Sequence, residues 1–93
     1  MKITQKKLIN FLEHKIINDF NIDKNEFDIH SDLIGSNAII KSSELLEVFL
    51  STENFLNQFS KKFDWPRMMS LSKNPHPASN IISLVEYIFN NYD

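Results

Sequence analysis

Few side chains in this sequence of 93 residues are of a type and spacing that can do chemistry, and cysteine is not among them. That excludes a disulfide framework, a thiolate zinc site and a protein-thiol nucleophile. His14, His30 and His76 fall on a helical pattern, in a loop and in a proline-flanked turn. None belongs to a repeated pattern of ligand-type partners three or four residues away, so they are expected at the surface or as caps, with no metal bound. Gly35 is the one glycine, too few for the glycine-rich loops that cradle phosphates. A serine nucleophile of the hydrolase kind would need a strand-turn-helix elbow to expose it, and no such pattern occurs. Glu44 and Glu47 stand on neighbouring helical turns with no water-excluding pocket implied around them. They are expected as a solvated, partner-facing stripe rather than as a general acid and base. No catalytic residue and no self-sufficient enzyme activity are therefore expected.

What remains is Ser42, which follows the apolar pair Ile39-Ile40 and opens a helical pattern. A serine there is ordinarily a cap for the first free amides. The same amides, with the positive end of the helix dipole, would stabilise a phosphodiester attached to it. Charge is concentrated around this position. Residues 1–18 hold four lysines against Glu13, a sum of +3, and residues 54–93 hold four basic against three acidic groups, a sum of +1. Residues 19–53 hold eight acids against Lys24 and Lys41, a sum of -6 within a net charge of -2. Such a segment repels nucleic acid and steers a basic protein surface toward itself.

The elements that must position Ser42 follow from periodicity. Leu8, Ile9, Leu12, Ile16 and Ile17 predict a first amphipathic helix over 3–17, ending near Asp19. Residues 20–41 lack a sustained period and are rich in Asn, Asp and Ser, which favour turns. Their Ile22, Phe27, Ile29, Leu33 and Ile34 suit a long loop packed along the helices. Leu45, Phe49, Thr52, Leu56 and Phe59 define the buried stripe of a second helix from Ser42 to about Phe59, with Ser42 and Ser43 as capping candidates. Leu46 and Leu50 lie off that stripe and add apolar surface. Residues 61–73 predict a short third helix with Asp64 as N-cap and Pro66 in its first turn. Ile81, Leu84, Val85, Ile88, Phe89 and Tyr92 predict a last helix capped by Ser79 or Asn80. The expected fold is all-α: a small antiparallel four-helix bundle in a single domain, 1–93, with three longer helices, a short third helix and a long loop between the first two. No run reaches the ~20 apolar residues of a membrane span, and no signal-peptide pattern opens the sequence. A cytoplasmic monomer is expected.

Between residues 32 and 56 the sequence resembles the acyl carrier protein family. Carriers of that family show Asp-Leu in the loop, then Asp-Ser-Leu at the start of the second helix, then acidic and apolar residues ending in an acid-rich turn and an aromatic. The matching residues are Asp32-Leu33, Lys41-Ser42-Ser43-Glu44-Leu45-Leu46-Glu47-Val48 and Glu53-Asn54-Phe55-Leu56. In architecture the likeness extends over most of the chain, in motif over about 25 residues. The departures are Lys41 for the family's aspartate, Ser43 for its leucine and Ala38 for its loop glycine.

The resemblance implies an acyl or aminoacyl carrier, in fatty acid or specialised metabolite biosynthesis, bearing covalent 4'-phosphopantetheine on Ser42. The arm would supply the thiol the sequence lacks. It also implies partners: a phosphopantetheinyl transferase and acyl-loading or acyl-transferring enzymes with basic docking patches. These would meet Lys41, Ser43, Glu44, Leu46, Glu47, Leu50 and Glu53. Lys41 and Ser43 alter the surface a transferase reads, either impairing a general transferase or marking a dedicated one. The alternative function is a carrier-shaped, unmodified protein-protein interaction module in which Ser42 is only a cap. A helical DNA-binding domain is disfavoured by the acidic middle and the lack of a basic recognition helix.

Overall fold

The first helix begins where its sequence supplies a cap. Thr4 is extended, and its Oγ1 accepts the Lys7 N–H at 3.1 Å. Ile3 and Leu8 occupy the two positions of a hydrophobic staple around it, and both are buried. A computed structural model describes residues 2–92, and in it α1 runs Gln5–Asp19. It turns Leu8, Leu12 and Ile16 into the core. α2 spans Ser42–Asn57, α3 spans Trp65–Met69, and α4 spans Ile81–Asn91, preceded by a 3-10 turn at Pro77–Ser79. Among the described residues there is no strand and no helix long and apolar enough to cross a membrane.

α1 packs against α2 and α4, and the 3-10 turn packs against α4. The buried set is continuous through all four helices: Leu12 and Ile16 from α1, Leu45, Val48, Phe49 and Leu56 from α2, Met68 from α3, and Ile81, Leu84, Val85 and Ile88 from α4. Aromatic rings extend it, Phe11 stacked on Phe55 at 4.0 Å and Phe49 edge-on to Phe63 at 6.1 Å. The Cα radius of gyration is 12.4 Å, close to the ~12 Å of a compact chain this long.

The last helix carries a full capping box: Asn80 Oδ1 accepts the Ser83 N–H at 2.8 Å, and Ser83 Oγ accepts the Asn80 N–H at 3.3 Å. Asp64 caps α3 through the Arg67 N–H at 3.2 Å. That helix is shorter than residues 61–73 predict. A proline is tolerated only in a helix's first turn, so Pro66 fixes the start at Trp65. Lys61 and Phe63 instead lie in the connecting segment, buried.

The long loop, residues 20–41, is pinned to α4 and to the turn before it. Leu33 N–H donates to the Ser79 carbonyl at 2.8 Å, and Ile82 N–H to the Ile29 carbonyl at 3.3 Å. Phe27, Leu33 and Ile40 insert into the core. These two backbone bonds and three buried side chains hold the irregular segment against the bundle. Ile40, buried two residues before Ser42, fixes where α2 begins.

Candidate functional site

α2 starts at Ser42, where the periodicity puts it, but its N-cap is not a serine. Lys41 holds the N-cap position in extended conformation, φ -79° and ψ 159°, and Ser42 is the first helical residue. A lysine side chain has no acceptor to offer the free amides. The helix start is instead closed from inside, Glu44 Oε1 accepting the Lys41 N–H at 2.8 Å. Neither Ser42 nor Ser43 makes a capping bond, which corrects the expectation that they cap. The Ser42 hydroxyl is exposed and takes part in no hydrogen bond among the described residues.

Side chains four apart on a helix share a face, so Ser42, Leu46 and Leu50 form one stripe. All three are exposed, Leu46 at 45% and Leu50 at 51%. Leu45, Val48, Phe49, Thr52 and Leu56 take the opposite face inward. Thr52 is fully buried there because its hydroxyl donates to the Val48 carbonyl at 2.7 Å. The result is a rigid helix with a core side fixed by packing and an outer side of two leucines leading to a serine.

The acids along this face are already engaged within the chain. Lys15 on α1 donates to Glu47 Oε2 at 3.1 Å and also pairs with Asp19. The hydrogen bond to Asp19 is the main cause holding the Lys15 ammonium above its ordinary pKa; burial opposes it and the bond to Glu47 adds to it. Glu53 is half-buried and accepts the Trp65 indole N–H at 3.1 Å. Glu44 is half-buried through its bond to the Lys41 backbone. Lys41 and Ser43 are exposed. Lys15 and Trp65 were not visible as site residues in the sequence. Lys15 and Glu47 stand 32 positions apart and Trp65 and Glu53 12 apart, outside any local spacing rule.

No histidine is bonded to a residue of this face among the described residues. His14 and His30 are exposed. His76 caps the 3-10 turn, its Nδ1 accepting the Ala78 N–H at 3.0 Å. Among the described residues no group of three His, Asp or Glu side chains is placed to hold a metal ion. Compared with known proteins, the chain matches no family model, no curated protein and no solved structure.

Proposed function

We propose that the protein is an acyl-carrier-like domain, a small antiparallel four-helix bundle that presents a cargo held as a thioester on a 4'-phosphopantetheine arm attached to Ser42. The observation that carries this reading is the stripe itself: an exposed, unbonded serine hydroxyl at the first position of a well-packed helix, leading into exposed Leu46 and Leu50. The residues present fit such a group. A phosphodiester on Ser42 lies beside the first-turn amides, which an α-helix leaves without internal partners, and at the positive end of the helix dipole. When bound, the arm supplies the thiol the sequence lacks.

This chain's own work is presentation. Leu46 and Leu50 give a partner enzyme a small apolar contact. The acidic surroundings, -6 over residues 19–53, steer a basic partner surface toward it and favour fast, reversible association. Lys41 places one positive charge beside the serine, which either impairs a general transferase or marks a dedicated one. Catalysis belongs to the partners.

Because the sequence has no cysteine, thiol titration has no protein background. After incubation with coenzyme A and a broad-range phosphopantetheinyl transferase, wild-type protein gains one titratable thiol per chain and Ser42→Ala gains none. If no thiol appears with that enzyme or with an extract of the native host, the chain is instead the unmodified interaction module. Binding of a partner through Leu46 and Leu50 would then persist in Ser42→Ala.

A further inference from the structure

Among the described residues Lys61 is the one charged residue that is buried. Its side chain lies in the segment between α2 and α3, at 7% exposure, and its ammonium is in no ion pair with a described residue. Nζ donates to the Tyr92 carbonyl at 2.5 Å and stands 4.7 Å from the centre of the Phe89 ring. Tyr92 is the C-cap of α4, so part of the positive charge answers the helix end. An ammonium has three N–H donors. Among the described residues one carbonyl and one ring face are the partners of this ammonium, which leaves it N–H donors for a further acceptor, and an anion placed there would also answer its charge.

The space beside Lys61 has the form to admit one. Lys2, Ile3, Phe59, Lys61, Phe89 and Tyr92 line a cavity of about 460 Å³, within the ~300–1,000 Å³ typical of small-molecule sites. It lies away from Ser42, between the start of α1 and the end of α4. Ile3 is buried, Phe59 and Phe89 are half-buried, and Lys2 is exposed at the rim. A second cation, Lys7, sits 5.0 Å over the outer Phe59 ring.

We infer that this cavity binds a small amphipathic carboxylate, its head group paired with Lys61 and Lys2 and its apolar body against Ile3, Phe59 and Phe89. One buried ammonium matches one negative charge. A neutral apolar molecule adds no charge opposite that ammonium, and a bare inorganic anion leaves the aromatic walls wet. The inference rests on Lys61 and not on Ser42, so it stands or falls independently of the carrier reading.

The test is a titration of the full chain with octanoate, followed by calorimetry and by NMR shifts of Ile3, Phe59, Phe89 and Tyr92, with 1-octanol, acetate and inorganic phosphate as separate arms. Saturable octanoate binding is expected, about tenfold or more tighter than any of the three comparison compounds, as fits a buried charge-assisted pair acting with apolar contact. Lys61→Met, which keeps the apolar stem, loses that preference of octanoate over octanol, and Lys61→Arg retains it. Octanol binding as well as octanoate, phosphate binding as well as octanoate, or no shift at the cavity residues would overturn the proposal and leave Lys61 as a helix cap only. If Lys61→Met does not fold, the wild-type comparison of octanoate with octanol decides.

Discussion

Trp65 donates its indole N–H to Glu53 Oε1 across 3.1 Å, tying the short α3 to the C-terminal part of α2. Trp65 also lies against Phe49, ring centres 5.7 Å apart, so the carboxylate, the indole and a fully buried core ring form one connected unit. Glu53 has a structural task as well as a place on the acidic face.

Glu53→Gln keeps an acceptor but not its charge and costs less than about 1 kcal/mol, whereas Glu53→Lys removes the acceptor and costs about 1–2 kcal/mol, the worth of a charge-assisted bond partly open to solvent. Glu47→Lys also opposes a lysine, yet Glu47 is more than half exposed and the largely covered Lys15 keeps Asp19 as a partner, so its cost stays below about 1 kcal/mol. Urea unfolding of the three variants checks the order. Equal losses for Glu47→Lys and Glu53→Lys would contradict it.

The inward face of α2 is much less tolerant. Leu45→Ala and Phe49→Ala each remove a buried side chain from the centre of the bundle, with an expected cost of about 2–5 kcal/mol. Chemical denaturation measures it, and a near-neutral result at either position would show that the core has another register.

Periodicity made the helices legible, and with them the inward residues Leu45, Phe49 and Leu56 and the outward Leu46 and Leu50. Their placement depends only on a 3.6-residue repeat and on apolar character. Val48, buried beside Phe49, lies off the predicted stripe because α2 is covered over a wider arc than one stripe, from α1 and from the aromatic segment around Phe63. The serine caps were misplaced for a different reason. A serine-rich helix start reads as a cap, but the cap position falls on Lys41, and Glu44 reaching back to its N–H closes the helix start instead. The bonds of Lys15 to Glu47 and of Trp65 to Glu53 are tertiary, and neither spacing nor composition encodes them.

Leu46→Ser and Leu50→Ser alter exposed side chains only, so stability is expected to stay within about 0.5 kcal/mol of wild type. Modification of Ser42 by a transferase that docks on this stripe slows, with a higher KM and little change in kcat, because the leucines contribute binding and not chemistry. Steady-state rates beside melting curves separate the two effects. An unchanged KM would mean partners approach elsewhere.

Burial pushes the Tyr87 hydroxyl up to about 12, with its bond to Tyr92 acting in the same direction. The unfolded chain ionises this group near ~10. Below that pH the group makes its full contribution to stability; the contribution is lost as pH rises from about 10 toward 12, because the unfolded state releases the proton first. Melting temperature therefore falls more steeply over this range in wild type than in Tyr87→Phe. Parallel curves for the two proteins would contradict the shift.

Ser42 and Ser43 stand side by side at the start of α2, both exposed, and only Ser42 shares a stripe with Leu46 and Leu50. The most direct measurement is the intact mass of wild type, Ser42→Ala and Ser43→Ala, each coexpressed with a broad-range phosphopantetheinyl transferase and, in parallel, produced in the native host. The predicted result is a mass increase of one phosphopantetheinyl group on wild type and Ser43→Ala, and none on Ser42→Ala. Unmodified wild type in both settings, or an adduct that survives Ser42→Ala, would contradict the assignment of Ser42 as the attachment site.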